Sequence, residues 1–308
     1  MSAEIALQRR PRSSVNSPLR YAGGKRWLVD HIVPGIAEHL ESTEGSTYYE
    51  PMVGGGAVAF ALGLRSNAPG HDVPMVLGDL SEPLMDFYKQ LQRDPGAVYV
   101  ALVNLVGVYG TAEWGYNQIK ERFNHDGFAT SARAAAFLYL NRRGFNGLWR
   151  VNRKGENNVP VGRYKIDPAN PMAFFPGRAQ IEAASEAVEF ADLRCGIFQD
   201  TTADVAAGDV VFLDPPYEAP NGFVAYTKEG FGERDHHAVA HCAAWCADRG
   251  AAVLVTVSEA SRPRYSPERF TILSTLERRA VNSDGDGRKG VPCLLIVSHG
   301  HESIVRSA

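Results

Sequence analysis

The sequence predicts an α/β domain interrupted by a mainly helical insert, and three stretches carry that prediction. Residues 47–60 read as a short strand, a glycine-rich turn and the start of a helix, and a second strand over 73–79 ends in Asp79. The apolar run Val210-Val-Phe-Leu213 breaks abruptly into Asp214-Pro-Pro-Tyr217, as a strand buried on both faces does where it leaves a parallel sheet. Between the two, residues 94–135 carry helical patterning with no strand signal of comparable quality. A chain of 308 residues, 44% hydrophobic and 22% charged, has ample material for one such core.

From the N-terminus, residues 1–16 are expected to be a disordered tail. Order is expected to begin at Ser17-Pro-Leu-Arg-Tyr-Ala-Gly-Gly-Lys25, whose paired glycines let the backbone approach a ligand. A helix follows from Arg26 to about Leu40, with Trp27, Leu28, His31 and Ile32 along one face, and Pro34 must kink or interrupt it. A second helix covers 57–64. A third is opened by Ser81 and Pro83 and sets Leu84, Phe87, Tyr88 and Leu91 at the i, i+3, i+4, i+7 spacing of one face. Residues 148–152 and 159–164 flank a turn-like stretch and predict a hairpin. The α/β rhythm returns with a strand over 191–199, ending near Asp200. After Asp214-Pro-Pro-Tyr217 comes a helix over 233–249, with Val239, Cys242, Ala243 and Cys246 as its inward stripe and Gly250 past its end. Strands fit 251–258, 270–275 and 291–298, with a flexible polar loop at 282–290.

Composition excludes several classes. The net charge of −3 rules out a chain that is basic throughout, while leaving room for a local patch. Four irregularly spaced cysteines suit a reducing compartment rather than a disulfide framework. The polar N-terminus has no apolar signal region. The longest apolar stretch, 97–109, is broken by Asn104 and falls short of the roughly 20 residues of a membrane span, so a cytoplasmic protein is expected. His236, His237, His241, Cys242 and Cys246 invite a metal reading. Their i, i+4 pairs point to different faces and both cysteines lie on the apolar stripe, so no metal is expected. No hydrolase elbow, phosphate-binding loop or paired-carboxylate signature is present.

Three constellations carry chemistry. Gly54-Gly55-Gly56 follows a strand and opens a helix, and Asp79 ends the next strand. Glycines permit close approach, the helix N-terminus offers N–H groups, and the acid can accept from ribose hydroxyls. This describes a nucleoside site, for a dinucleotide or for S-adenosylmethionine. Asp214-Pro215-Pro216-Tyr217 supplies what an amino group on an aromatic ring needs: a carboxylate and a backbone carbonyl to hold its two N–H groups, and a ring to stack its base once that base leaves the helix. Residues 142–165 hold seven basic residues against Glu156 alone, a local charge of +6. Interleaved with Tyr139, Phe145, Trp149 and Tyr164, and accompanied by Asn146 and Arg150, they suit phosphate contact, stacking or wedging, and base-edge reading in DNA.

In their order, these segments resemble the Dam-type N6-adenine DNA methyltransferases. The resemblance is carried by Pro18–Lys25, Glu50-Pro-Met-Val-Gly-Gly-Gly56, Gly78-Asp79, Leu140-Asn-Arg-Arg-Gly-Phe-Asn-Gly-Leu-Trp-Arg150, Asn157-Asn-Val-Pro-Val-Gly-Arg-Tyr-Lys165, Asp214-Pro-Pro-Tyr217 and the 282–290 loop. It implies the S-adenosylmethionine-dependent methyltransferase fold, a seven-stranded mixed sheet with helices on both faces, with a DNA target-recognition insert. The implied division is a cofactor-binding part at 17–82, the insert at 83–170 and a catalytic part at 171–308. Methyl transfer to N6 of a flipped adenine in duplex DNA, in a GATC-like site, is the implied activity; an amide methyltransferase or a catalytically idle DNA-binding member are the alternatives. Asp214, Pro215, Pro216 and Tyr217 would be catalytic. Tyr21, Ala22, Gly23, Lys25, Pro51, Gly54, Gly55, Gly56, Asp79, Leu80, Asp200 and Asp214 would line the cofactor site. Arg20, Arg143, Phe145, Asn146, Leu148, Arg150, Asn158, Pro160 and Arg163 would meet DNA, with Phe145 and Asn146 filling the vacated duplex. A monomer is implied, nucleoid-associated through DNA, with a restriction endonuclease as a partner in some systems. Met52, Arg20 and Phe145 depart from the family, which usually has an aromatic, Lys and Tyr at those places.

Overall fold

The computed structural model describes residues 17–21, 23–66, 73–125, 127–218, 230–277 and 291–306. The 1–16 tail, Ala22 and the 282–290 loop lie outside the described residues. The chain enters through α1 (Arg26–Ser42), β1 (Tyr48–Glu50), α2 (Ala57–Ser66) and β2 (Met75–Asp79). Five helices follow: α3 (Glu82–Arg93), α4 (Pro95–Tyr109), α5 (Glu113–Asn124), α6 (Thr130–Arg143) and α7 (Arg178–Glu186). Then come β3 (Ala191–Cys195), the short α8 (Phe198–Thr201), β4 (Val210–Leu213), α9 (Glu233–Asp248), β5 (Ala252–Ser258), β6 (Phe270–Glu277) and β7 (Val291–Ser298).

Among the described residues the sheet has seven strands in the order β3-β2-β1-β4-β5-β7-β6. Pairings from β3 through to β5 are parallel, and β7 runs antiparallel to both β5 and β6. Chain order reverses at β1, which lies between β2 and β4, so a crevice opens beyond the carboxyl ends of β1 and β4. Asp209 fixes the opposite ends of these two strands. Its Oδ1 accepts from Thr47 N at 2.8 Å and its Oδ2 from Ala206 N at 2.8 Å.

Alternation along the strands splits the core in two. Tyr48, Leu77, Val210, Phe212 and Leu254 face one layer with α1 to α7, while Tyr49, Val76, Val211, Leu213 and Val255 face the layer of α9. β4 is buried at all four positions, which is why its sequence is a continuous apolar run. The first core continues without a break through α4, α5 and α6, and α3 packs on β2 and β3 as well as on α6. No described helix is long and apolar enough to cross a membrane.

Pro34 lies inside α1, which continues past it. Two local expectations are corrected. The strand expected over 191–199 stops at Cys195, and Asp200 sits in α8. The hairpin of the insert is reduced to two isolated antiparallel bridges, Gly144–Val161 and Val151–Asn157. Side chains supplement the few backbone bonds there, as when Asn152 N donates to Glu156 O at 2.9 Å while Asn152 Oδ1 accepts from Lys154 N and Glu156 N.

Candidate active site and nucleic-acid interface

β4 ends at Leu213, and the next residue, Asp214, emerges at the crevice. Its neighbour strand sets its surroundings: Leu213 pairs with Val255, so Thr256 stands beside Asp214. The buried Thr256 hydroxyl donates to Asp214 Oδ1 at 2.5 Å. Lys25, 4% exposed, brings its Nζ to 2.8 Å from the same oxygen. That ammonium also donates to Gly23 O at 2.7 Å and lies 4.8 Å from the centre of the Tyr217 ring. Lys25, expected along the cofactor, is thus placed on Asp214. Thr256 was missed from sequence; its one signal is a hydroxyl amid the apolar run of β5.

A second carboxyl lies deeper. Glu50 closes β1, and its Oε2 accepts from Tyr48 Oη at 2.8 Å and Ala59 N at 3.0 Å. Burial drives this carboxyl up to about 8, and the negative charge of Asp214 adds to the rise. The Tyr48 and Ala59 hydrogen bonds and Lys25 oppose it. The rise favours the protonated form of Glu50 around neutral pH.

The glycine turn follows directly. Gly54 (φ +46°) donates its N–H to Asp79 Oδ2 at 3.0 Å, and its carbonyl accepts from Tyr88 Oη at 2.6 Å. Ser81 N donates to Asp79 Oδ1 at 2.9 Å. Desolvation pushes the Asp79 carboxyl up, and the N–H groups of Ser81, Gly54 and Leu80 pull it back. A Cβ on Gly55 would come within 2.7 Å of Tyr21 Cβ, so the turn is cradled against the segment that carries Lys25. β2 and β3 end side by side, with Gly196 N donating to Asp79 O at 3.1 Å. Two apolar side chains, Leu80 (47% exposed) and Ile197 (45% exposed), stand open beyond those ends, and the exposed Asp200 follows on α8. A glycine turn against a helix start, an acid between strands and two open apolar walls fit the methionine, ribose and adenine portions of S-adenosylmethionine. Ile197 was not singled out from sequence, because the strand was expected to run through it.

The insert presents the DNA-facing residues unevenly. Phe145 is 42% exposed and Asn146 is held at φ +55°, a left-handed backbone that turns the pair outward from α6. Gly147 (φ +66°) is packed so tightly on Arg20 that a Cβ there would collide with the Arg20 carbonyl. Buried Asn141 joins the two segments. It accepts from Arg20 N at 2.8 Å and donates to Arg20 O at 2.7 Å and Gly147 O at 3.3 Å. The Arg20 guanidinium lies 4.9 Å from the Tyr164 ring centre and 4.7 Å from that of Phe174. Arg150 and Asn158 are exposed and paired, with Nε to Oδ1 at 2.8 Å; Pro160 and Arg163 are exposed and Leu148 is partly buried.

Arg143 is a correction. It is buried, and its guanidinium donates to Thr111 O at 2.8 Å and to Gly162 O, so it braces the insert from within rather than facing DNA. Tyr139 and Trp149 are likewise core residues, leaving Phe145 and Tyr164 as the aromatics within reach of a ligand. Neighbouring Arg142 is pulled down to about 10 by burial and by the charges of Arg20 and Arg26. Among the described residues no group of three or more His, Cys, Asp or Glu is placed to hold a metal. Cys242 and Cys246 are buried on α9.

The arrangement has relatives. A DNA N-6-adenine-methyltransferase of Escherichia phage P1 is 36% identical over 279 residues, covering 88% of this chain and 34% of that protein, so the chain spans about a third of that relative's length. The type II methyltransferase M.MjaIII of Methanocaldococcus jannaschii is 31% identical over 91% of this chain and 98% of its own length. The DNA adenine methylase of Escherichia coli K12 is 33% identical over 90% of this chain and 93% of its own. A family model matches residues 21–281, from the segment that carries Lys25 to beyond the last parallel strand. With that match spanning both the glycine turn and Asp214-Pro-Pro-Tyr217, the chain belongs to the D12 class of N6 adenine-specific DNA methyltransferases.

Proposed function

We propose that this protein methylates N6 of an adenine turned out of duplex DNA, within a GATC-like site, and that Asp214, Pro215 and Tyr217 form the clamp on that adenine. The observation that carries this is the Asp214 carboxylate, held from two sides by Thr256 and Lys25 at the crevice mouth, with the Tyr217 ring beside it. When bound, S-adenosylmethionine supplies an electrophilic methyl on a sulfonium.

An exocyclic amine is a weak nucleophile because its lone pair is delocalised into the ring. Asp214 accepts a hydrogen bond from one N6–H and the Pro215 carbonyl from the other, which favours a pyramidal nitrogen with an available lone pair. Tyr217 stacks the base and fixes the direction of attack. The N–CH3 bond forms as the S–CH3 bond breaks, and the surplus proton on nitrogen leaves through Asp214 to solvent. Alignment of two bound reactants is worth about 7–11 kcal/mol of the barrier in well-oriented systems. Lys25 and Thr256 both hold Oδ1 of Asp214, so the incoming amine shares the carboxylate with them.

In the same reading Tyr21, Gly23, Pro51, Gly54 to Gly56, Asp79, Leu80 and Asp200 line the cofactor. Phe145 and Asn146 fill the vacated duplex, and Arg20, Leu148, Arg150, Asn158, Pro160 and Arg163 meet the recognition site and its phosphates. Residues 83–170 act as the recognition insert between the cofactor part and the catalytic part. The protein acts as a monomer, is drawn to the nucleoid through DNA, and has a restriction endonuclease of like specificity as an optional counterpart.

The test is sequencing for N6-methyladenine in DNA from a methylation-free host expressing the chain. Methylation at one short motif is expected, and its adenine context reads out the site. Unmodified DNA together with labelled methyl groups on protein amides would overturn the proposal.

A further inference from the structure

Immediately after Tyr217, Glu218 turns back into the protein. Its Oε1 lies 2.7 Å from Arg264 Nη1, with 22% and 13% of the two side chains exposed. Its Oε2 accepts a long hydrogen bond from Ser258 Oγ at 3.4 Å. Arg264 ends the 3-10 turn Glu259–Arg264 that follows β5, and the same Nη1 reaches Ser261 Oγ at 3.2 Å. On the third side is the first turn of α9, where buried His236 feels both the Glu218 and the Arg264 charges and meets the Phe231 ring edge-on at 4.9 Å. Three separate elements thus converge on one carboxylate that is covalently next to the stacking tyrosine.

A largely buried ion pair is a poor source of stability, since desolvating two charges offsets most of their attraction. Its usual return is geometric, and here the geometry is that of the catalytic loop. The two prolines stiffen the loop between Asp214 and Tyr217, whereas beyond Tyr217 Glu218 is the described residue that fastens it to the scaffold. We propose that Arg264 is a positioning residue for methyl transfer: by gripping Glu218 it sets the angle at which the Tyr217 ring receives the target adenine. This rests on the reading of Tyr217 as the stacking platform.

The experiment compares Glu218→Gln, Arg264→Met, their double variant and Arg264→Lys with the unaltered chain. It measures kcat and DNA KM, cofactor affinity, thermal melting, and 2-aminopurine fluorescence at the target position of a duplex carrying the methylated site. Each single variant is expected to lose about 10- to 100-fold in kcat, the scale of a 1 Å misplacement. Cofactor affinity should stay within about threefold and the 2-aminopurine signal should fall; the double variant should be no worse than the poorer single, because both break one contact. Arg264→Lys should recover most of kcat. Unchanged kcat in the singles, multiplicative losses in the double, or cofactor affinity and melting falling in step with kcat would each overturn the clamp. Tyr217→Ala, run in parallel, tests the stacking reading separately: if its kcat is unchanged that reading fails, while the clamp is still judged on the Glu218 and Arg264 variants.

Discussion

Lys25 Nζ and Asp214 Oδ1 are 2.8 Å apart, which sets the lysine directly on the carboxylate proposed to receive the adenine amine. The pair joins the 17–25 segment to the end of β4, so that segment and the Asp214–Tyr217 loop form one site. Replacing Asp214 by Ala is expected to abolish turnover while cofactor affinity, measured by equilibrium binding, stays within about tenfold, because the main loss is in orienting the amine. Full activity of that variant on adenine-containing duplex would contradict the assignment.

Thr256→Val keeps the shape of a residue 1% exposed while deleting its hydrogen bond to Asp214. A hydrogen bond to a charged group is worth about 1.5–3 kcal/mol, so on that scale kcat should drop roughly 10- to 100-fold, with some loss of melting temperature alongside. Steady-state kinetics on a single-site duplex measures it, and an unaltered kcat would remove Thr256 from the site.

Glu50 gives a pH prediction. Its folded-state carboxyl titrates at about 8, well above its ordinary range, so in the intermediate window the folded protein holds a proton that the unfolded chain has lost. Stability contributed at this position is complete in acid and declines as pH rises from the ordinary carboxyl range through about 8. Glu50→Gln retains an oxygen acceptor for Tyr48 and Ala59 but cannot ionise. Its melting temperature should therefore gain on the wild type between pH 5 and 8 and then hold a constant gap, as followed by thermal scans at fixed ionic strength. A gap independent of pH would show that Glu50 titrates normally.

Arg150 and Arg143 should behave oppositely. Arg150 is exposed, so Arg150→Ala is expected to relax preference at one base pair by about 1–3 kcal/mol in competition binding, whereas uniform weakening on all sequences would mark a phosphate contact. Arg143 is buried on backbone carbonyls, so Arg143→Met should lower the melting temperature without changing the salt slope of DNA binding.

Much of the fold was legible because its strands announce themselves locally. The central strands show as apolar runs such as Val210–Leu213, which stops at an acid, whereas β3, Ala-Asp-Leu-Arg-Cys, is half polar and shows mainly by its place after the insert. The Asp214–Tyr217 loop and the glycine turn stand out in the sequence because their backbones need residues that little else needs. Interior roles do not. Arg143 and Arg163 are the same residue type in one basic segment, and Arg143 differs by reaching the carbonyls of Thr111 and Gly162, contacts made only once the insert is folded. Trp149 is drawn into the core by Phe123 and Phe137, 5.7 and 4.4 Å away between ring centres, a contact across the insert that no local pattern encodes. Thr256 acquires its role only when β5 is laid beside β4.

The single amide of Asn141 bears on how such a protein could be re-engineered. It stitches Arg20 to Gly147, two places far apart along the chain, by hydrogen bonds that leave no slack. A specificity graft cut only around residues 140–165 would separate these halves and leave a buried carboxamide facing a foreign backbone. With the insert as the proposed recognition part, the exchangeable cassette is therefore discontinuous: residues 17–21 travel with it, and a swap that respects that seam keeps the Asn141 bonds intact.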